Sequence, residues 1–370
     1  MKVLFVNSVC GIRSTGRIVS ELADRYTEQG HEVMIAYGRE RAAEKYARVS
    51  YRIGTDTDVK INALKARLFD KEGFHARKQT EEFIKFANNY DPDVLWLHNL
   101  HGYYMNIELL FDWIKQRPSM KVMWTLHDCW AFTGHCAHFD YVKCSRWREG
   151  CEKCPQKGEY PTSWVSDRSH ESYRRKKEAF CGVKDMTLIT PSEWLADLVK
   201  QSFLNQYPIR TVYNTIDEDV FKPTESDFRR ANGLEDKTVV LGVASAWSER
   251  KGLSDFVRLA DMLPDDYGIV LVGLTKKQIS KMPKNILCIE KTDSARELAQ
   301  IYTAADVFLN LTYEDTYPTV NLEARACGTP CLTYRTGGSV ESVPSENIVS
   351  QGDLQEIVKR MKEICGMENR

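Results

Sequence analysis

The sequence predicts an α/β fold built from two domains, each with a parallel sheet, and three observations carry that reading. Short unbroken apolar runs alternate with amphipathic stretches along most of the chain. Glycine and small polar residues separate the two kinds of segment. The length of 370 residues exceeds the roughly 250–300 at which a single core stops growing. An apolar run without alternation marks a strand buried on both faces, as in a parallel sheet covered by helices.

Val3, Leu4, Phe5 and Val6 form the first such run. A small-residue turn over 10–16 follows, and then Ile18, Leu22 and Tyr26 recur at helical spacing up to Gly30, which fits a helix C-cap. Residues 31–36 give the next strand and complete a βαβ unit. Strands at 93–97, 122–126 and 187–190 continue the pattern, with a helix at 107–115 and a cap at Ser192. Between residues 129 and 164 the periodicity fails and aromatics, His, Cys, Gly and Pro dominate, so this segment reads as an irregular insertion. A short strand near 207–214 closes the first Rossmann-like domain, expected over 1–213.

The second domain is expected over 214–351, beginning with a polar stretch at 222–236. Strands fall at 238–244, 269–272, 286–289 and 307–309, with helices at 253–263 and 295–304 between them. A last helix, within 352–366, is expected to pack back on the first domain. Ligands of parallel sheets sit beyond the carboxyl ends of the strands. Two such domains would face each other across an interdomain cleft suited to two substrates.

The formal net charge of −1 argues against a nucleic-acid-coating protein. The opening run is too short for a signal peptide and no stretch reaches the roughly 18 apolar residues of a membrane span. A cytoplasmic location follows as the expectation. In that compartment clustered thiols bind metal or simply pack. Four of the eleven cysteines (Cys136, Cys144, Cys151 and Cys154) fall in the irregular segment. The Cys151–Cys154 spacing fits one edge of a tetrahedral structural Zn²⁺ site, with His135 and His138 as alternative ligands. Free thiols are the other reading, and disulfides rank below both.

Three motifs stand at strand ends. After the strand at 307–309 comes Glu314-Asp315-Thr316-Tyr317-Pro318-Thr319-Val320-Asn321-Leu322-Glu323. Pro318 suits a first helical turn, which would point the N–H groups of Thr319, Val320 and Asn321 at an anion. Asp315 and Glu323 would then grip hydroxyl groups. After the strand at 238–244 comes Arg250-Lys251-Gly252, two cations at a helix start and a good diphosphate site. After the strand at 122–126 comes His127-Asp128. Each motif alone also has an ordinary reading, as a surface cation, a helix cap or a strand-to-helix turn. Their occurrence together, in order, carries the argument.

The seven residues between Asp315 and Glu323 resemble the acidic-x7-Glu signature of retaining GT-B glycosyltransferases, family 4 in particular. That resemblance implies that Asp315 contacts the donor sugar, with Glu314 able to share the role, and that Glu323 contacts the nucleoside ribose. Lys251, helped by Arg250, would hold the diphosphate without a catalytic metal. The family usually has Arg five residues before that Lys, where this chain has Ala246. His127 would face the donor sugar, the first glycine turn with Gly16 would close over the donor and border the acceptor, and Asn214 would lie in the interdomain turn. The run His98-Asn99-Leu100-His101-Gly102 and the Cys-rich segment resemble a subgroup for capsule, exopolysaccharide or O-antigen assembly.

The implied partners are a nucleotide-diphosphate sugar with a hexose-type group and a glycan or polyprenyl-diphosphate-linked acceptor. The basic segment with Lys60, Lys65, Arg67, Lys71, Arg77 and Lys78 reads as a solvated helix or as a peripheral contact with the inner face of the cytoplasmic membrane. Two further functions fit the same motifs: a nucleotide-sugar 2-epimerase and a non-catalytic nucleotide-sugar-binding module.

Overall fold

The apolar runs assemble as two parallel sheets. The computed structural model describes residues 1–366 and divides into a unit Met1–Tyr213 and a unit that begins at Asn214. In the first unit the strands are β1 Lys2–Asn7, β2 Glu32–Tyr37, β3 Ser50–Arg52, β4 Val94–Leu97, β5 Lys121–Thr125, β6 Met186–Thr190 and β7 Ile209–Thr211. Their order is β3-β2-β1-β4-β5-β6-β7, every pair parallel. The helices are α1 Arg13–Glu28, α2 Asp56–Phe69, α3 Arg77–Tyr90, α4 Ile107–Lys115, α5 Ser169–Phe180 and α6 Glu193–Lys200.

β1 makes the physical logic plain. Leu4 and Val6 face one apolar cluster, Val3 and Phe5 face another, and all four are fully buried. Helices cover both faces of the sheet, so no strand residue in this run needs to be polar. Ser192 caps α6 as the sequence suggests, its side chain accepting from Leu195 N at 3.2 Å. Thr55 caps α2 in a reciprocal box with Asp58. Residues 56–58 therefore open a helix.

The second unit contains α7 Phe228–Ala231, β8 Thr238–Val243, α8 Leu253–Met262, β9 Tyr267–Val272, α9 Lys276–Ile279, β10 Ile286–Ile289, α10 Ala295–Ala304, β11 Val307–Asn310, α11 Thr319–Ala326, β12 Cys331–Tyr334, β13 Ile348–Val349 and α12 Leu354–Ile364. The sheet order is β10-β9-β8-β11-β12-β13, again parallel throughout. Ile269 and Leu271 of β9 face one cluster, Val270 and Val272 the other. α12 packs within the second unit. Its buried Leu354, Ile357 and Met361 belong to the core of the second unit, because their helical spacing completes the face that β8 and β9 present.

Each sheet has one place where the strand order reverses: between β1 and β4 in the first, and between β8 and β11 in the second. Loops leaving neighbouring strands in opposite directions open a crevice there. The sequence motifs sit on or beside these two points.

Candidate active site

In the second unit the turn after β8 meets the loop after β11. The Arg250 carbonyl accepts from Tyr313 N at 2.8 Å, and Arg250 Nη1 donates to the Glu314 carbonyl at 3.1 Å. This pairing brings Lys251 Nζ to 2.6 Å from Asp315 Oδ2. Both side chains are about four-fifths buried, at 23% and 17% exposure, so the pair is only partly screened by water. Of the two adjacent acids, Asp315 meets the cation, whereas the Glu314 residue is 2% exposed.

Glycine permits the close approach. Gly252 has φ +75°, and a Cβ there would stand 2.2 Å from the Leu311 carbonyl oxygen. Gly337 has φ +47°, and a Cβ there would stand 2.0 Å from the Asp315 carbonyl oxygen. That same oxygen accepts from Gly338 N at 3.1 Å. Behind the loop, buried Asp255 Oδ2 accepts from Tyr313 Oη at 2.7 Å and Tyr334 Oη at 2.8 Å.

α11 starts directly after Pro318, as expected of a residue without an N–H to lose. Thr319 and Val320 lie half-buried in its first turn, where amide dipoles favour an anion. Asn321 does not join them. Its N–H is directed to the Pro318 carbonyl at 3.3 Å. Its fully buried side chain accepts from Asn310 Nδ2 at 2.8 Å and donates to Ser342 Oγ at 2.8 Å. Asn321 fixes α11 to the sheet, which is why a polar residue sits at a core position.

Glu323, one turn further along α11, is buried and accepts from Tyr302 Oη at 3.1 Å. Burial, and then the Glu323 charge, push the Tyr302 hydroxyl well above its ordinary range, so it remains a donor. Asn214 Nδ2 donates to the Tyr317 carbonyl at 3.2 Å, tying the start of the unit to the same loop.

The first unit carries the remaining candidates. Gly16 lies inside α1, and Gly11 N donates to the Gly16 carbonyl at 3.2 Å, closing the glycine turn. Beyond β5, His127 Nε2 and His98 Nδ1, which follows β4, are 2.9 Å apart, their rings stacked at 5.2 Å. Burial pushes His127 down to about 4 and His98 well below its ordinary value. Both rings are therefore neutral near pH 7. The next residue repeats the arrangement: Asp128 Oδ2 lies 2.8 Å from His101 Nε2, and His101 Nδ1 lies 2.9 Å from Tyr160 Oη. Burial alone would raise the Asp128 carboxyl, but the His101 charge and hydrogen bond bring it down to about 2. One pocket is lined by His98, Asn99, His101, Thr125, His127 and Asp128. The His98 and His101 roles escaped the sequence reading, although both residues follow a strand, as His127 and Asp128 do.

The Cys-rich segment holds two short 3₁₀ turns, Trp130–Phe132 and Arg146–Arg148. Cys136, Cys144, Cys151 and Cys154 line one cavity. Among the described residues no three His, Cys, Asp or Glu side chains are grouped so as to hold a metal ion. Phe132, Phe139 and Trp147 pack on one another at 5.1–6.3 Å between ring centroids and join the main core of the unit. Buried Lys176 fastens the segment by donating to the Trp130 carbonyl at 2.8 Å and the Thr133 carbonyl at 3.1 Å, its Nζ 3.5 Å from the Trp130 ring centroid.

Residues 15–220 match Glycosyltransferase Family 4 and residues 224–370 match Glycosyl transferases group 1. A glycosyl transferase of Escherichia coli K12 named for colanic acid biosynthesis, WcaC, is 25% identical over 305 residues, which are 80% of this chain and 73% of that one. The processive diacylglycerol alpha-glucosyltransferase of Acholeplasma laidlawii is 30% identical over 163 residues, 41% of this chain and 48% of that one. Sucrose-phosphate synthase from Thermosynechococcus elongatus superposes with a TM-score of 0.69 at 15% identity, covering 99% of this chain and 90% of that one. Anabaena HepE in complex with UDP-glucose gives 0.67 at 13% identity, covering 98% and 89%. Those two likenesses are of fold. Because the first family match spans more than half of the sequence, the chain belongs to glycosyltransferase family 4 and is a glycosyltransferase with two Rossmann-like domains of the GT-B type.

Proposed function

We propose that the enzyme moves a hexose-type sugar from a nucleotide diphosphate donor to a glycan or polyprenyl-diphosphate-linked acceptor, with retention, in surface polysaccharide assembly. The observation that carries this reading is the ion pair of Lys251 and Asp315 at the reversal point of the second sheet, beside the positive end of α11. Lys251, Arg250 and the first-turn amides of Thr319 and Val320 offset the growing charge of the departing diphosphate. Asp315 turns from Lys251 to the sugar hydroxyls, and Glu323, oriented by Tyr302, takes the ribose. His127, neutral near pH 7, meets the donor sugar as a hydrogen-bonding group.

In the step itself the bond from the anomeric carbon to phosphate breaks, and the acceptor oxygen bonds that carbon on the same face. The acceptor proton passes to the leaving phosphate oxygen. The protein's own cations carry the charge, so EDTA is expected to leave turnover unchanged.

A second exposed feature supports a lipid-linked acceptor. Ile61, Leu64 and Phe69 of α2 are about half exposed, and Trp164 and Val165 of the Cys-rich segment are 57% and 68% exposed. Trp164 N donates to the Arg67 carbonyl at 2.7 Å and the Arg67 guanidinium lies 5.5 Å from the Trp164 ring centroid, so these apolar groups adjoin Lys65 and Arg67. No helix among the described residues is long and apolar enough to cross a membrane. We assign this patch to the surface of an anionic bilayer. The proposed function is tested by thermal-shift screening of UDP-, GDP- and dTDP-sugars, followed by NMR of the product's anomeric configuration. An inverted product, or sugar interconversion with donor alone, would remove the reading.

A further inference from the structure

Four residues on two adjacent strand ends form two rungs. His98 and His101 stand three apart after β4, and His127 and Asp128 stand side by side after β5. The first rung is His98 Nδ1 to His127 Nε2 at 2.9 Å, and the second is His101 Nε2 to Asp128 Oδ2 at 2.8 Å. The second rung extends through His101 Nδ1 to Tyr160 Oη at 2.9 Å, and Tyr160 belongs to the irregular segment. The same segment returns to the site by its backbone, since Trp130 N donates to Asp128 Oδ1 at 2.9 Å.

We propose that His98 and His101 are positioning residues that hold His127 as the Nδ1–H tautomer and lock the turn that carries it. This inference rests on the reading of His127 as the residue facing the donor sugar.

The tautomer follows from the environment of His98. A neutral imidazole carries one N–H and one bare nitrogen. His98 is fully buried, and its Nε2 has no hydrogen-bond partner. A buried donor left unpaired is the rarer and costlier defect, so the bare nitrogen belongs at Nε2. The proton then lies on Nδ1 and is donated to His127 Nε2. His127 accepts there, which places its own proton on Nδ1. The charged groups around the pair are consistent with two neutral rings. Asp128, His101, His138, Lys176 and Glu72 surround the turn, and the Asp128 carboxylate is already engaged by His101 and by Trp130 N. Protonating His127 would place its charge beside His98 where desolvation outweighs the favourable Asp128 charge.

Tyr160 gives the irregular segment a direct part in the site. Its hydroxyl pairs with His101 Nδ1 at 2.9 Å, and the ionised Asp128, which can only accept, takes the Nε2 proton of His101.

The test uses the full-length enzyme labelled with ¹⁵N-histidine. The His98 and His127 signals are assigned by His98→Gln and His127→Gln among the eight histidines. Long-range ¹H–¹⁵N spectra are expected to show a protonated Nδ1 and a bare Nε2 on both rings, unchanged down to about pH 5. His98→Phe is expected to let His127 relax towards the Nε2–H form and to titrate at higher pH. Gln at 98 can donate from its amide and should preserve the wild-type pattern. UDP release from UDP-glucose provides the kinetic arm: kcat should fall about tenfold in His98→Phe and several-fold in Tyr160→Phe, with KM little changed and His98→Gln near wild type. An Nε2–H tautomer on wild-type His127 would overturn the inference. So would identical His127 titration in wild type and His98→Phe, or, should that variant not fold, a wild-type kcat and spectrum in Tyr160→Phe. A His127→Ala enzyme with full turnover would remove the donor-facing role of His127 instead, and the tautomer result would stand apart from it.

Discussion

Lys251 Nζ and Asp315 Oδ2 lie 2.6 Å apart although 64 residues separate them in the chain. The contact joins the two loops that leave the second sheet at its reversal point, and it pairs the group assigned to the diphosphate with the group assigned to the sugar. Lys251→Ala should lower kcat by roughly 10²–10³, the usual cost of losing one preorganised charged donor. Lys251→Arg should recover part of that loss. Turnover with the best nucleotide sugar from the donor screen measures both, and an unaltered kcat in the alanine variant would remove Lys251 from the chemistry.

Gly252→Ala tests how tightly those loops are pressed together. A methyl group at this position meets the Leu311 carbonyl oxygen and also faces a φ of +75°. Left-handed strain alone costs about 1–3 kcal/mol, and the clash adds to it. Urea unfolding should report a loss of at least about 2 kcal/mol. Gly158→Ala, with open space around its Cβ, is the matched control.

Sedimentation with phosphatidylglycerol vesicles tests the exposed patch. Leu64→Glu and Trp164→Glu should each reduce binding severalfold, because each removes buried apolar area and adds repulsion near an anionic surface. Binding of the wild type should weaken with added salt, following the screening of Lys65 and Arg67. Unaltered binding in both variants would assign the patch no role at lipid.

Acid stability can be isolated at His75. Burial, followed by repulsion from Lys65, Lys71 and Arg175, brings it down to about 4 from 6.5. The unfolded chain therefore takes up this proton below pH 6.5, and the folded chain resists it until about pH 4. The contribution to stability is complete above 6.5 and is lost as the pH falls through that window. Each unit of separation sets a ceiling of about 1.4 kcal/mol. His75→Gln should lose less stability than wild type between pH 6.5 and 4, read from urea midpoints. His135 works in the opposite sense: burial lowers it, but Asp70 raises it overall, so its contribution fades as pH rises.

Much of this arrangement is legible in the sequence because buried parallel strands leave a local signature. Val3 to Val6 and the runs at β8, β9 and β11 need no partner to be recognised, and the charged residues that follow them lie at strand ends by simple counting. What the sequence hides is pairing at a distance. Asn321 reads as one more first-turn amide until its N–H turns to the Pro318 carbonyl and Asn310 and Ser342 hold its side chain. The four cysteines carry a ligand-like spacing, but nothing local tells that Phe132, Phe139 and Trp147 fill the space around them. His98 gains its meaning only when β4 and β5 are placed side by side.

The two glycines that press against residues 311–315 have a thermodynamic corollary. With Gly252 behind Leu311, Gly337 and Gly338 against Asp315, and Asp255 gripping Tyr313, this loop is already in one shape before any donor arrives. On the proposed function, a nucleotide sugar landing there need not freeze a mobile segment. More of its intrinsic attraction is therefore retained as affinity, and selectivity among sugars must arise from the fit of hydroxyls to a rigid surface.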